Sequence, residues 1–218
     1  MANKKNQIKN AIVTGYSSGI GEAICKELVL NGYQIIKLNS RVDDFDNLEK
    51  EIKEILKNDD ISLLINCAGV GVFQPHEEIS ISKIRELIDV NLTAPIILSN
   101  LCLRSLKKTQ GNIINITSVE ATKHSKFSAL YTATKSGLRD FGLCLFEEVR
   151  KSGVKVTSIN PDITKTNFFD DLQFEPSLKE DTYLLSETIA SSVVDILNTK
   201  GVITDITIRP QKFEIKRK

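Results

Sequence analysis

With 218 residues, 41% of them hydrophobic, the chain is long enough to bury a sizeable core, and no break in composition marks a second domain. A near balance of 29 basic and 28 acidic residues excludes an argument from total charge for a nucleic-acid partner. Cys25, Cys67, Cys102 and Cys144 are scattered, and His76 and His124 join them in no metal-ligand spacing, so free thiols and no metal are expected.

The polar start, Met1–Lys9, runs into an apolar stretch too short for a signal peptide or a membrane span, so a cytoplasmic protein with no membrane partner is expected. Ala11–Thr14 reads as the first strand. It enters Thr14-Gly15-Tyr16-Ser17-Ser18-Gly19-Ile20-Gly21 and then a helical pattern over Gly21–Asn31. Three glycines at a helix N-terminus bring free backbone N–H groups together, which suits phosphate, although glycine also punctuates many plain turns.

A second strand, Gln34–Leu38, ends in Asn39-Ser40-Arg41, and a helix over Asn47–Lys57 leads to a third strand, Leu63–Asn66, followed by Cys67-Ala68-Gly69. Helical spacing then runs from Ser80 to Lys108 with Pro95 inside it. Proline clashes with the carbonyl four residues back and removes its hydrogen bond, so a kink freeing the Asn91 carbonyl is expected. A helix that begins at Pro95 is the other reading.

The fourth strand, Asn112–Thr117, delivers Ser118, and Tyr131-Thr132-Ala133-Thr134-Lys135 opens the next helix, Tyr131–Lys151. Tyr131 and Lys135 are one turn apart on the same side, close enough for the ammonium to lower the tyrosine pKa toward working pH. A strand over Val154–Ile159 meets Pro161-Asp162-Ile163-Thr164-Lys165-Thr166. Asp162–Leu185 has no clear periodicity and is expected to form a lid, in which Phe168, Phe169, Leu172 and Phe174 either wall a substrate or pack on the core. A helix over Ser186–Thr199, a strand over Val202–Ile208 and a basic tail, Lys212–Lys218, complete the chain.

Strands that alternate with helices imply an α/β domain of Rossmann type, a doubly wound, mostly parallel sheet flanked by helices. One domain over 1–218 with its core at about 8–210 is expected, with ligands beyond the carboxyl ends of the strands.

Taken together, Thr14–Gly21, Ser118 and the Tyr131/Lys135 pair resemble the short-chain dehydrogenase/reductase family, whose TGxxxGxG and YxxxK patterns they match. The resemblance runs from Ala11 to about Ile208 and includes Asn66-Cys67-Ala68-Gly69, with Cys67 in place of an asparagine. It implies hydride transfer between a nicotinamide and a carbonyl or alcohol carbon of a small molecule. In that scheme Tyr131 is the acid/base, Ser118 a hydrogen bond to the substrate oxygen, Lys135 the tuning and ribose-binding group, and Asn91 the anchor of a relay water.

The resemblance also implies cofactor contacts at Gly15, Ser17, Ser18, Gly19, Ile20, Gly21, Asn66, Ala68, Gly69, Tyr131, Lys135, Pro161, Thr164 and Thr166. Asp162 replaces the family's glycine and puts a charge near them. After the second strand no acidic residue stands at the ribose position, and Ser40 with Arg41 suits the 2′-phosphate of NADP. Asp43, Asp44 and Asp46 keep NAD open, and the short link to Leu63 implies a trimmed adenine side. Leu138, Phe141, Leu145, Phe146 and Val149 suggest a helix-mediated homodimer or homotetramer unless all five pack within one subunit. The expected activity is NADPH-linked carbonyl reduction, against an NAD-linked alcohol dehydrogenase or a dinucleotide-sensing regulator without turnover.

Overall fold

The computed structural model describes residues 9–218; the polar segment read over 1–8 lies outside them. In chain order the elements are β1 (Lys9–Val13), α1 (Gly19–Leu30), β2 (Tyr33–Ile36), α2 (Phe45–Asn58), β3 (Ile61–Asn66), α3 (Ile81–Ile88) and α4 (Ala94–Thr109). They continue as β4 (Asn112–Ile116), α5 (Ala129–Val149), β5 (Lys155–Pro161), β6 (Phe174–Pro176), α6 (Ser186–Asn198), β7 (Asp205–Ile208) and β8 (Ile215–Arg217).

Six strands form one parallel sheet in the order β2-β1-β3-β4-β5-β7, the doubly wound arrangement expected from the alternation of strands and helices. The sheet stops at β2 because only α2 separates β2 from β3, so the adenine side is trimmed as the short link implied. Strand order reverses between β1 and β3, and the crevice at their carboxyl ends is the place such folds bind ligands.

Because side chains alternate across a strand, each strand feeds two cores. Val13, Leu63, Ile65, Ile114 and Ile116 pack against Ile24 and Leu28 of α1 and Ile189 and Val193 of α6. Ile12, Ile61, Leu64 and Ile113 face the other way, onto Leu48 and Ile52 of α2, Leu98, Cys102 and Leu106 of α4, and Leu145 and Val149 of α5. Leu48 and Ile52 have no solvent exposure, so truncating either to alanine removes roughly 2–5 kcal/mol.

The segment read as one helix from Ser80 to Lys108 is α3 and α4 joined by a π turn over Asp89–Thr93, in which the Ala94 N–H reaches the Asp89 carbonyl. Pro95, in the first turn of α4, has no N–H to return to Asn91, and the ladder slips by one residue there. Residues 81–109 are long and apolar enough to cross a bilayer, yet Leu87, Leu98, Cys102 and Leu106 are spent on the chain's own core.

The apolar surplus of α5 is likewise consumed internally. Leu138, Leu145 and Val149 are buried, and Phe141 and Phe146 pack against the second core, so this helix gives no argument for a homodimer or homotetramer. The lid and the tail contain structure their sequences did not announce: β6 lies in the aperiodic segment, and β8, within the basic tail, pairs with it antiparallel, Phe174 opposite Arg217.

Candidate active site

The glycine turn leaves β1 in a conformation that side chains resist. Gly15 and Gly19 have φ of +67° and +52°, and a Cβ on Gly21 would stand 2.1 Å from the Gly15 carbonyl oxygen. Thr14 braces the turn against the exit of β3: its Oγ1 accepts from the N–H groups of Cys67 and Ala68 at 2.9 and 3.0 Å. Ser18, at the N-cap of α1, makes no side-chain cap. The first-turn N–H groups of Gly19, Ile20 and Gly21 therefore remain for an anion, at the positive end of the helix dipole, and these residues line the cleft.

Ser118 follows β4 and caps a short 3-10 turn, accepting from the Glu120 N–H at 3.1 Å. It lines the same cleft as Tyr131, in the first turn of α5, and is near enough to pull the phenol pKa down. Lys135 is buried one turn on, and its ammonium donates to the Ile116 carbonyl at 3.1 Å. Asn91 is fully buried at the π turn; its side chain accepts from the Val70 N–H and donates to the Val70 carbonyl, both at 2.9 Å, and meets Thr134 Oγ1 at 3.3 Å. Gly69 lets the two groups approach, since a Cβ there would stand 3.2 Å from Lys135 Nζ and 3.4 Å from Asn91 Oδ1.

The electrostatics differ from the direct Lys135–Tyr131 coupling read from spacing. Burial pushes the Tyr131 hydroxyl well above its ordinary value, the Ser118 hydroxyl pulls it down, and the Glu120 carboxylate raises it. Lys135 is pushed down to about 8, by burial above all. The ammonium stands 6.0 Å from the tyrosine ring centre and points at the backbone, so same-side spacing alone does not tune the phenol.

The β2 edge departs in a similar way from a simple phosphate reader. Arg41 is largely exposed, and Asp43 takes its Nε and Nη2 at 3.0 and 2.8 Å. Glu51, reaching back from α2, accepts from the backbone N–H groups of Asn39 and Ser40 at 2.7 and 2.8 Å. Asp44 caps α2. The Tyr16 hydroxyl donates to the Leu38 carbonyl at 3.3 Å, which ties the glycine turn to this edge.

Asp162, the residue that replaces a glycine of the resembled pattern, is not a loose charge. Its Oδ1 accepts from the Ile163 N–H at 2.9 Å, and its Oδ2 accepts from Arg209 Nε at 2.8 Å with the carboxylate side chain 1% exposed. The Asp162 carbonyl accepts from Thr164 Oγ1 at 2.9 Å.

The glycine turn, the group of Ser118, Tyr131 and Lys135, and the loop after β5 meet in one cleft of about 1040 Å³ beyond the carboxyl ends of β1, β3, β4 and β5. Gly15, Ser18, Gly19, Ile20, Gly21, Ala68, Gly69, Ser118, Tyr131, Lys135, Pro161, Thr164 and Thr166 all line it. Ser17, Ser40, Arg41, Asn66 and Asn91 do not; Asn66 instead donates to Asn115 Oδ1 at 2.8 Å and braces β3 against β4. Phe168, Phe169 and Phe174 wall the cleft and Leu172 does not. Sequence reading missed Phe73, Phe213, Ile215 and Arg217 because they reach the cleft only through the β6–β8 pairing and ring packing.

Comparison with known proteins agrees with this geometry. A family model described as short chain dehydrogenase matches residues 9–62 and 42–176. An uncharacterized oxidoreductase of Staphylococcus epidermidis is 29% identical over 96% of this chain and 100% of its own. The 3-oxoacyl-(acyl-carrier-protein) reductase of Buchnera aphidicola is 30% identical over 88% of this chain and 91% of its own. Among solved structures, an alcohol dehydrogenase of Thermococcus sibiricus complexed with 5-hydroxy-NADP superposes with a TM-score of 0.85 at 24% identity, covering 95% of this chain and 100% of that one. A 4-hydroxyisoleucine dehydrogenase complexed with NADH gives 0.81 at 22% identity, covering 93% and 97%. With its sequence matched to the family model and its fold shared with these enzymes, the chain belongs to the short-chain dehydrogenase/reductase family of oxidoreductases.

Proposed function

We propose that the protein is an NADPH-linked reductase that converts a small-molecule carbonyl to an alcohol. The observation that carries this reading is the meeting of Ser118, Tyr131 and Lys135 in a cleft that runs on to the open first turn of α1. The glycine turn fits a dinucleotide: its N–H groups point at the place a pyrophosphate needs, and its glycines leave the backbone bare. Gly15 and Ser18 to Gly21 would hold the phosphates, Ala68 and Gly69 the central portion, and Thr164 and Thr166 the nicotinamide end.

When bound, the reduced nicotinamide supplies the hydride that adds to the carbonyl carbon. Tyr131 gives the proton to the carbonyl oxygen, and the Ser118 hydroxyl is the group that pulls its burial-raised pKa back down. Ser118 positions that oxygen by hydrogen bonding. Lys135, held by the Ile116 carbonyl, lines the same cleft and is the cation available there to grip the nicotinamide ribose. The Asn91 side chain is fully engaged with Val70 and Thr134, so its main-chain carbonyl at the π turn is the group left to hold a relay water.

The choice of NADPH rests on Arg41, an exposed guanidinium on the edge that Tyr16 ties to the glycine turn. An NAD-linked alcohol dehydrogenase is the second reading, favoured by the grip of Asp43 on two nitrogens of that guanidinium. The bound NADP analogue and NADH of the two structural relatives support a nicotinamide dinucleotide of either kind.

Parallel fluorescence titrations with NADPH and NADH, followed by a ketone screen of wild type and Tyr131→Phe, test the reading. Tighter binding of NADPH, and a roughly 10³-fold loss of turnover in the variant with cofactor binding kept, are expected. Undiminished turnover in Tyr131→Phe overturns the mechanism, and binding of neither dinucleotide points to a degenerate site.

A further inference from the structure

The β6–β8 ribbon has two chemically different faces. Phe213, Ile215 and Arg217 line the cleft, whereas Glu214 and Lys216 point away from it, as period-two alternation requires. The outward charges are all satisfied: Glu214 accepts from Lys179 Nζ at 2.9 Å and Ser177 Oγ at 3.2 Å, and Lys216 pairs with Glu175 at 2.7 Å. Lys218 donates to the carbonyls of Phe169 and Asp170. Lys218 also lines the cleft, with its ammonium spent on those carbonyls, whereas Arg217 lines it and, among the described residues, its side chain has no ion-pair or hydrogen-bond partner.

The register connects that guanidinium to the reacting centre. Arg217 is directly opposite Phe174 on the same face, Phe174 packs edge-on to Phe73 at 5.2 Å, and Phe73 packs on Tyr131 at 5.0 Å. An aromatic wall therefore leads from the Tyr131 ring to a cation. Lys126, which also lines the cleft, lies over the ring of Phe127.

We propose that the substrate is a carbonyl compound with an apolar body and an anionic terminus, the body lying along Phe73, Phe174 and Ile215 and the anion held by Arg217. The inference rests on the carbonyl-reductase reading of the same cleft and adds the substrate class. An arginine fork matches a carboxylate or phosphate at two nitrogens, and the aromatic wall leading to it suits the apolar body of such a ligand.

The test uses ω-oxo-ω-phenylalkanoates of increasing chain length, each beside its neutral methyl ester. Calorimetry on the purified protein measures binding, and NADPH consumption measures turnover. In wild type the acid is expected to bind about tenfold or more tightly than its ester at the preferred length. Arg217→Gln is expected to erase that preference, Arg217→Lys to keep part of it, and Arg217→Glu to reverse it. Equal binding of acid and ester to wild type, binding of neither, or a preference that survives in Arg217→Gln overturns the proposal. Preferential binding of the acid without reduction upholds the ligand class and defeats the reductase reading; reduction of acid and ester alike, indifferent to Arg217, does the opposite.

Discussion

Arg209 reaches from the end of β7 to the loop after β5, donating from Nε to Asp162 Oδ2 at 2.8 Å. In the sequence Asp162 placed a charge where the family has glycine, and nothing there pointed to Arg209 as its partner. Together they neutralise each other, and the carboxylate also ties down the Ile163 N–H. The pair thus fixes the loop that presents Thr164 and Thr166 to the cleft.

Removing Arg209 leaves a buried carboxylate without its cation. Breaking a buried pair costs ~3–5 kcal/mol, and because the Arg209 side chain is 56% exposed the expected loss for Arg209→Ala is discounted to about 1–2 kcal/mol. The unpaired negative charge also favours the cationic, oxidised nicotinamide over the neutral, reduced one. Urea unfolding should show the loss, and Asp162→Gly in the same chain should recover most of it. Fluorescence titration should show the affinity ratio shifting toward the oxidised dinucleotide; an unmoved ratio together with unchanged stability would show that the pair holds nothing.

Arg41 and Asp43 set the second expectation. With Asp43 on two of its nitrogens, the guanidinium is oriented but partly neutralised. Arg41→Ser should weaken NADPH roughly tenfold, the worth of a charged hydrogen bond, and NADH much less. Asp43→Asn should strengthen NADPH by releasing competition. Equal losses for both dinucleotides in Arg41→Ser would remove the 2′-phosphate argument.

How much of this was legible beforehand follows from the range of each signal. The sheet, its helices and the glycine turn come from local periodicity and glycine placement, and strand ends moved by only a few residues, as with β7 beginning at Asp205 rather than Val202. Pro95 announced a break in the long helix, and the π turn at Asp89–Thr93 is its form. Ser118, Tyr131 and Lys135 were visible because a shared pattern marks them. The direction of the Lys135 ammonium was not, since that depends on the Ile116 carbonyl, 19 residues away in sequence. Arg217 was hidden for the same reason: only the pairing of β8 with β6 turns a basic tail into a cleft wall.

Gly69 separates a site effect from a fold effect. A methyl group there would stand 3.2 Å from Lys135 Nζ and 3.4 Å from Asn91 Oδ1, and the lysine is the flexible partner that gives way. Gly69→Ala should therefore fold with little loss of thermal stability while its kcat falls, on the order of tenfold, as Lys135 is displaced in the cleft. Gly21→Ala should do the reverse: its Cβ would meet the Gly15 carbonyl at 2.1 Å, which forces the whole turn to move. Lower melting temperature and lost dinucleotide binding are expected there, and a Gly21→Ala protein that binds normally would show that the turn is not the cradle.

Lys135 gives a dependence on pH whose sign can be worked out. Its pKa is pushed down from 10.5 to about 8 in the fold, so below pH 8 both folded and unfolded chains carry the proton and this group contributes no slope. Between pH 8 and 10.5 the unfolded chain keeps the proton and the folded chain has lost it, so the contribution to stability rises with pH, by about 3 kcal/mol over the window. Tyr131 works against this above pH 10, because its raised pKa keeps the proton on the folded chain after the unfolded one has lost it. Cys67 and Cys102, both pushed up to about 12 by burial, oppose it from pH 9 upward. The total slope therefore mixes signs, and the informative quantity is the difference between Lys135→Met and wild type. In urea unfolding, the stability of Lys135→Met relative to wild type should be greatest at pH 8 and shrink by about 2–3 kcal/mol on going to pH 10. A difference that stays constant across that interval would mean that Lys135 keeps its ordinary pKa in the fold, with its charge reaching solvent rather than resting against the Ile116 carbonyl.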